Sequence, residues 1–458
     1  MGWMTKTIAV LSAGIVPAMI AVPASAQSIA TTLSSAYENS GLLEQNRALL
    51  RAADEDVAQA QSALAPILSW AANSTWTDPV ASGDKISSTA SLSASILLYD
   101  FGGSQAAIEA TKEVVLSTRQ QLIDLEQEVL LRAISAHLDV LRFQEFVRLR
   151  ENNVRVITQQ LRAANDRFEV GEVTRTDVSQ AEAFLAEARA NLAASQGDLA
   201  QAVEEYRLAA GIDPTGLAAV PRAAISYSED EAKAFALRNH PSIRAAQHNV
   251  SAAELNIAQA EAALRPTVDL SGRLALDLDE LNDGFETNQS VTLSIGGPIS
   301  QGGRLASSIR QAMARRDAQR ASLHVTSQNI EGEVGVAYAL LAVSRASRDA
   351  TDRQIRASRV AFDGIQEEAD LGARTTLDVL DAEQDLLDAQ VNSISAAIDE
   401  TLAGYRVLSA MGVLTAEDLN LGVQSYDPAA YYNLVKDAPL GLSERGQALD
   451  RVLRAIGD

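Results

Sequence analysis

Two aspartates near the end of the chain have the spacing needed to act together. Asp378 and Asp381 follow Gly372 and stand three residues apart in a stretch with helical periodicity. Side chains at this spacing share one face of a helix. A row of carboxylates favours cations when it lines a pore. Helix capping is the alternative for Asp378, because Thr375-Thr-Leu-Asp378 resembles a capping box, but capping does not explain Asp381.

A third aspartate occupies the matching place earlier in the chain. Asp177 follows Gly171 as Asp378 follows Gly372, and Thr174-Arg-Thr-Asp177 offers the same capping alternative. No acid follows three residues later. We predict that Asp177 pairs with Arg374 where the two turns meet, with simple capping as an equally supported alternative.

Other site chemistry is not supported by the sequence. There is no cysteine, which excludes disulfides, thiolate metal sites and a cysteine nucleophile. The Gly102-Gly103 and Gly302-Gly303 pairs lack the lysine and further glycines of phosphate-binding loops, so they are predicted to be strand-to-helix turns. No serine-hydrolase or zinc-protease motif occurs. We therefore expect no enzyme, no cofactor and no metal. The four histidines are scattered: His137, His240, His248 and His324.

The N-terminus resembles a secretory signal peptide, predicted at residues 1–26. Lys6 precedes an apolar stretch at 7–22, and Ala24-Ser25-Ala26 is a small-residue cleavage site. No run of about 18 apolar residues follows residue 26. The net charge of −22 argues against nucleic-acid binding, which needs a basic surface.

The chain is a tandem repeat. Val57-Ala-Gln-Ala-Gln-Ser-Ala-Leu-Ala-Pro66 resembles Ile257-Ala-Gln-Ala-Glu-Ala-Ala-Leu-Arg-Pro266, and the Gly-Gly pairs recur at the same offset of 200 residues. The segments after Gly171 and Gly372 correspond at an offset of 201. Such repetition indicates a duplicated structural unit. The predicted parts are a first repeat at 27–228, a second at 229–414, and a tail at 415–458.

Each repeat is predicted to have the same layout. A helix at about 37–65 or 230–265 ends at a proline. Two strands follow, within about 67–99 or 267–298. A Gly-Gly turn leads into a very long helix, about 104–168 or 304–369, and a glycine separates this from a last helix ending near 209 or 410.

The strands alternate between apolar and polar residues. Leu92 belongs to a face with Ile86, Ala90, Ala94, Ile96 and Leu98, whereas Ser93 belongs to the opposite, serine-rich face. In the second repeat Leu270, Leu274, Leu276 and Leu278 oppose Asp269, Arg273 and Asp277. Strands of about ten residues with this pattern are typical of outer-membrane barrels, and Trp70 and Trp76 would anchor the interfaces. A water-exposed sheet face is the alternative.

The helices carry a seven-residue apolar period, which predicts coiled-coil packing. The period is visible at Ile108, Val115, Leu122, Val129, Ala136 and Phe143, at Val178, Leu185, Leu192, Leu199 and Tyr206, and at Leu380, Leu387 and Ile394. A helix of about 65 residues is roughly 95 Å long. Four strands cannot close a barrel, since the smallest known has about eight, so the chain must oligomerise. Three chains would give twelve strands and room for a pore.

The two tip segments resemble a known family. Val170-Gly171-Glu-Val-Thr-Arg-Thr-Asp177 and Leu371-Gly372-Ala-Arg374-Thr-Thr-Leu-Asp378 are similar to the helix–turn–helix tips of the TolC family of outer-membrane efflux channels. The resemblance covers nearly the whole chain after residue 26. It implies an α+β membrane protein: a homotrimer whose twelve-stranded β-barrel, in outer-membrane lipid, continues into an α-helical barrel through the periplasm.

The resemblance also implies a function and a site. It implies an exit duct for efflux or type I secretion, coupled through a periplasmic adaptor to an inner-membrane pump of the RND or ABC type. Asp177, Arg374, Asp378 and Asp381 would form the gate at the periplasmic mouth. The family's latch tyrosine is replaced by Ala369. The tail would pack around the middle of the helical barrel. A trimeric structural or adhesive protein is the alternative, but strand pairs inside both repeats favour a conduit.

Overall fold

The structure is a computed structural model that describes residues 27–77, 85–279, 284–439 and 443–457. The predicted signal peptide, residues 1–26, lies outside the described residues. Two repeats contain the same six elements in the same order, followed by two tail helices. The first repeat consists of α1 (Ile29–Asn39), α2 (Gly41–Ser62), β1 (Ile67–Thr77), β2 (Lys85–Tyr99), α3 (Gly103–Glu169) and α4 (Arg175–Ala210). The second consists of α5 (Glu229–Asn239), α6 (Pro241–Ala262), β3 (Thr267–Asp279), β4 (Gly284–Gly296), α7 (Arg304–Asp370) and α8 (Thr376–Ala410). The tail holds α9 (Pro428–Val435) and α10 (Glu444–Gly457).

The first helix of each repeat is broken in two, so the predicted single helices at 37–65 and 230–265 are wrong. Ser40 ends α1 and caps α2, since its hydroxyl accepts a hydrogen bond from the Leu43 N–H at 3.2 Å. His240 does the same for α6, where its Nδ1 accepts from the Ser242 N–H at 3.2 Å. Pro241 is the first residue of α6, the position at which a helix tolerates proline.

At each break, the end of a later helix packs against the junction between the two short helices. Gly211 ends α4 with φ +73°, and a Cβ atom there would lie 2.7 Å from the Asn39 Cβ at the end of α1. Gly412 follows α8 with φ +81°, and its Cβ would lie 2.9 Å from Pro241 Cδ. Any other residue would meet both backbone strain and a steric clash at these positions. The two glycines thus hold α4 against the α1–α2 junction and α8 against the α5–α6 junction.

The long helices α3 and α7 have 67 residues each and pack against α4 and α8 respectively. The predicted seven-residue period matches the packed face: Ile108, Val115, Val129 and Ala136 are buried on α3, and Leu380 and Leu387 on α8. One group of polar side chains inside this packing is linked by hydrogen bonds. The hydroxyl of Thr32 lies 2.9 Å from both the Tyr206 hydroxyl and His137 Nδ1, and burial lowers the pKa of His137. His137 is therefore a structural residue of the core.

The four strands form one antiparallel sheet in the order β1-β2-β3-β4. β2 of the first repeat pairs with β3 of the second, for example Leu92 with Leu274. In this register the residues predicted to be on the apolar face of each strand lie on the same face of the sheet, since Trp70 also pairs with Leu92. Two details differ from the prediction. A β-bulge between Leu97 and Tyr99 interrupts the alternation that was expected to continue to Leu98, and β4 begins at Gly284 instead of about 289.

The apolar face of the sheet is bare in the isolated chain. Trp70 is 80% exposed and Val291 is 81% exposed. On the polar face, the Ser69 and Ser93 hydroxyls are 2.8 Å apart, and Thr89 donates to Asp277 at 2.7 Å. Among the described helices, none combines the length and apolarity needed to cross a membrane.

The C-terminal tail runs along α2 and α3 toward the sheet. The Ala416 N–H donates to Glu126 at 2.6 Å, and Tyr431 donates to Glu55 at 2.6 Å. Val435 and Leu449 then pack on Ala58, near the end of α2. The tail therefore lies on the half of the long helices nearer the sheet.

Candidate channel mouth

The two helix hairpins end in turns of the same construction. After α3, the Gly171 N–H bonds to the Phe168 carbonyl at 3.0 Å and the Glu172 N–H to the Arg167 carbonyl at 2.9 Å. After α7, Gly372 and Ala373 make the equivalent bonds to Ala369 and Glu368. This pattern is the Schellman motif, which needs a left-handed residue. Gly171 and Gly372 supply it with φ of +81° and +78°.

Each following helix begins with a complete capping box. The Thr174 backbone N–H donates to Asp177 Oδ2 at 2.8 Å, and the Asp177 N–H returns a bond to the Thr174 hydroxyl. Thr375 and Asp378 repeat the arrangement on α8, with the Thr375 N–H 2.9 Å from Asp378 Oδ2. These hydrogen bonds from backbone and hydroxyl hold the pKa of Asp177 and of Asp378 below the ordinary range. Both carboxylates are thus kept ionised.

Within one chain, the structure does not bring Asp177 and Arg374 together, so the predicted pairing between them is wrong there. Asp177 is engaged with Thr174, and Arg374 Nε donates to Glu368 Oε2 at 2.8 Å. Glu368 lies one turn before Gly372 and competes for the same guanidinium at shorter range. The link between the two hairpins is a different one, in which Arg167 approaches Asp370 at 3.6 Å.

The acidic row on α8 is longer than the predicted pair. Asp385 and Asp388 follow Asp378 and Asp381 at spacings of four and three, so all four belong to one helix face. Asp381, Asp385 and Asp388 are exposed. Among the described residues no ion pair neutralises these aspartates; Asp388 accepts a hydrogen bond from the Gln384 amide. The 3-4-3 spacing was present in the sequence and could have revealed the full row.

The remaining predicted residues have structural positions. Ala369, at the position where the resemblance would place a latch tyrosine, is buried beside the tip. Gly102 and Gly303 precede α3 and α7 with φ of +87° and +84°. Gly302 is also left-handed, whereas Gly103 is the first residue of α3. Asp100 stabilises the first of these turns by accepting from the Gly102 and Ser104 N–H groups.

A four-stranded sheet with an exposed apolar face, continuous with four long helices that end in two capped turns and a row of aspartates, defines a membrane channel protein with a helical conduit. Comparison with known proteins identifies the family. The family model described as outer membrane efflux protein matches residues 32–211 and 235–413, one segment in each repeat. The chain belongs to this family.

Individual relatives agree with the assignment. The outer membrane efflux protein BepC of Brucella suis biovar 1 is 34% identical over 422 residues, which cover 91% of this chain and 92% of that protein. The outer membrane protein TolC of Escherichia coli is 25% identical over 429 residues, covering 86% and 85%. The solved CmeC outer membrane channel of Campylobacter jejuni has the same fold, with a TM-score of 0.77 at 14% identity over 90% and 89% of the two chains.

The protein is therefore an outer-membrane efflux and secretion channel and not an enzyme. It resides in the outer membrane and extends into the periplasm. Channels of the TolC family are homotrimers that work with adaptors and inner-membrane pumps. The assignment favours the conduit over the structural or adhesive alternative.

Proposed function

We propose that three copies of this chain close into one duct, with twelve strands in the membrane and twelve long and stacked helices below. One observation carries the proposal: β1 and β4 are edges of the four-stranded sheet, without a partner strand among the described residues. In lipid, each unpaired backbone group would cost several kcal/mol. Pairing β4 of one chain with β1 of the next removes every edge.

The unequal burial of the two longest helices supports the same assembly. α3 has 17 buried residues along its length and α7 has five, although both have 67 residues. An exposed apolar stripe runs along α7 with spacings of 11, 4 and 3 residues, which keep it on one face. The stripe consists of Val325, Val336, Leu340 and Val343. Leu42 and Leu49, seven residues apart on α2, are also exposed and suit the neighbouring side of the seam.

At the tips, we propose that Asp378, Asp381, Asp385 and Asp388 of three chains form stacked acidic rings around the periplasmic mouth. Asp381, Asp385 and Asp388 are exposed, and none of the four has an ion-pair partner in the described part of the chain, which favours a lining role. Rings of carboxylates attract cations and repel anions. Arg374, which bonds to Glu368 at the tip, would help to keep the mouth closed.

The acidic mouth has a direct test. Asp378→Ala combined with Asp381→Ala should lower the cation-to-anion permeability ratio several-fold in planar bilayers and weaken block by multivalent cations. Because Asp378 also accepts the Thr375 N–H in the capping box, Asp378→Asn with Asp381→Asn is the matched variant, since the amide oxygen of asparagine can accept the same hydrogen bond. Wild-type selectivity in the asparagine double variant would show that the carboxylates do not line the pore.

We further propose that the tips meet a periplasmic adaptor that links the channel to an inner-membrane pump of the RND or ABC type. Val170 and Leu371, each directly before a tip glycine, are 71% and 86% exposed, which leaves apolar surface at the tip for a partner. Cross-linking in whole cells followed by mass spectrometry should recover adaptor peptides attached to the tip segments. Recovery of adaptor only at the sheet end would contradict the proposal.

A further inference from the structure

Three side chains form a cluster where the sheet meets the long helices, and this junction cluster comprises Tyr99, Phe101 and Arg265. The rings of Tyr99 and Phe101 are 4.7 Å apart. The guanidinium of Arg265 lies 5.4 Å from the centre of the Phe101 ring, within the range of a cation–π contact. Phe101 comes from the β2–α3 turn and Arg265 from the α6–β3 turn, so the cluster joins the two repeats.

The cluster continues the apolar face of the sheet. Because of the bulge at the end of β2, Tyr99 pairs with Val268, which lies on the same face as Leu270 and Leu274. The Phe101 ring packs against Tyr99 at a tilt of 55° and therefore extends that face beyond the last strand residue. Tyr99 is 55% exposed and Phe101 is 39% exposed. Aromatic rings at the end of a lipid-facing surface occupy the level of the lipid headgroups.

The cation in this cluster has no carboxylate partner. Arg265 is exposed and forms no ion pair with any residue that the structure describes. Some other exposed arginines of this acidic chain do have one, such as Arg320 with Glu254 at 2.6 Å. The matching positions of the other repeat hold Ala65 and Gln301, so the duplication has kept the turn but not the cluster.

We propose that Arg265 binds the phosphate of a phospholipid in the periplasmic leaflet of the outer membrane, with Tyr99 and Phe101 against its glycerol and upper acyl chains. A guanidinium presents paired N–H donors that match a phosphate, and the cation–π contact holds it beside the Phe101 ring. The number of sites rests on the proposed trimer: one per chain gives three bound phospholipids per assembly.

Native mass spectrometry of the detergent-purified assembly, titrated with phosphatidylglycerol, tests the site. The wild type should retain up to three phosphatidylglycerol molecules, and Arg265→Ala should require at least five-fold more lipid for the same occupancy. Arg320→Ala is the control, because Arg320 is an exposed arginine sixteen residues into α7, about 24 Å from its start. It should bind lipid as the wild type does.

Two further experiments complete the test: a competition with inorganic phosphate, and a second variant in case the first does not assemble. Inorganic phosphate at equal concentration should not displace the lipid; displacement would show an anion site without lipid recognition and would overturn the proposal. If Arg265→Ala yields no assembly, Arg265→Lys replaces it, and its loss of the planar fork should weaken retention at least two-fold. Equal retention by wild type and variants overturns the lipid site alone, whereas a wild type that forms no trimer contradicts the proposed function.

Discussion

At the level of residues, capping and pore lining are compatible roles for the tip aspartates. The capping box of Asp378 supplies hydrogen bonds that stabilise its charged form and lower its pKa. A capped carboxylate at a mouth therefore stays negative at a pH at which a free one begins to protonate. Asp381, one turn later, has no such role and is free to face the lumen.

The ion pair between Arg374 and Glu368 offers a test of the gate. Both side chains are about half exposed, so within one chain the pair is weak and screened by solvent. Three such pairs surround one mouth in the proposed trimer, so removing them together would shift a two-state gate toward the open form. We expect Arg374→Ala to raise single-channel conductance in planar bilayers, and Glu368→Ala to do the same more weakly.

The control for this experiment is Arg353→Ala. This change removes a comparable exposed pair with Asp349, which lies earlier on α7 and farther from the tip. It should leave conductance unchanged. Equal conductance of wild type, Arg374→Ala and Glu368→Ala would show that the tip charges do not hold the mouth closed.

A buried carboxyl beneath the tail gives a pH-dependent prediction. Asp54 is fully buried 3.7 Å from Arg119, and burial raises its pKa from 3.8 to about 6 against the attraction of that guanidinium. A folded-state pKa above the unfolded value contributes stability below about pH 4 that is lost as the pH rises through 6. Asp54→Asn removes this titration. The variant should gain thermal stability relative to wild type between pH 4 and pH 7, by on the order of 3 kcal/mol.

The measurement is the unfolding midpoint of both proteins at pH 5 and pH 8 by circular dichroism. The advantage of the asparagine variant should be larger at pH 8. A difference that is the same at both values, or that favours the wild type at pH 8, would mean that Arg119 compensates the buried charge.

Residue-level inference from the sequence reached the groups with a local signature. The left-handed glycines and the capping boxes follow from spacing within four residues, and they lie where the patterns indicate. The partner of Arg374 was missed because two carboxylates, Glu368 and Asp177, were within plausible reach. Only the geometry of the turn shows that Glu368 is the nearer one.

At the level of elements, the two faces of the sheet should respond differently to a charge. Leu92 lies on the apolar face between Trp70 and Leu274, whereas Ser93 lies on the other face and bonds to Ser69. Leu92→Arg would place a guanidinium toward lipid, a cost of about 2–4 kcal/mol near mid-bilayer. Ser93→Arg would face the lumen and should assemble normally.

The yield of heat-sensitive oligomer on unheated gels measures this difference. Leu92→Arg should reduce the oligomer band strongly, and Ser93→Arg should leave it near the wild-type level. A similar yield for the two variants would mean that the faces are assigned wrongly.

The long elements were predictable because their periods persist over many residues. The strand alternation and the seven-residue period placed both ends of β1, α3 and α7, and the last residues of α4 and α8, within one or two residues of the observed bounds. The breaks at Ser40 and His240 were missed because the apolar pattern continues through them. The tail helices were also missed, since α9 is held by contacts with distant residues such as Ala58 and has no strong local period.

At the level of the whole molecule, duplication has produced two halves with different surroundings. The first repeat is covered by the second, since α3 packs against α6 and α8 as well as α2. The second repeat leaves α7 and β4 without an equivalent neighbour among the described elements of the chain. The contacts that join the first repeat to the second inside one chain can therefore be repeated between the second repeat of one chain and the first repeat of the next. Repeating them around an axis gives a closed ring.

The pairing between chains can be predicted from the repeat. β2 pairs with β3 with Ser93 opposite Arg273. Transferring this register to β4 and the β1 of the next chain, and keeping polar faces together, places Ser294 opposite Asn73. Opposed residues of antiparallel strands have Cα atoms about 4.5–5.5 Å apart, within the range of a disulfide. The natural chain has no cysteine to interfere.

The most direct test of the closed three-chain duct is therefore oxidative cross-linking of Asn73→Cys combined with Ser294→Cys in the outer membrane. We predict a covalent trimer on a denaturing gel that returns to monomer on reduction, while each single-cysteine variant stays monomeric. A double variant that forms no cross-link between chains under oxidising conditions, or that forms ladders beyond three chains, would contradict the account.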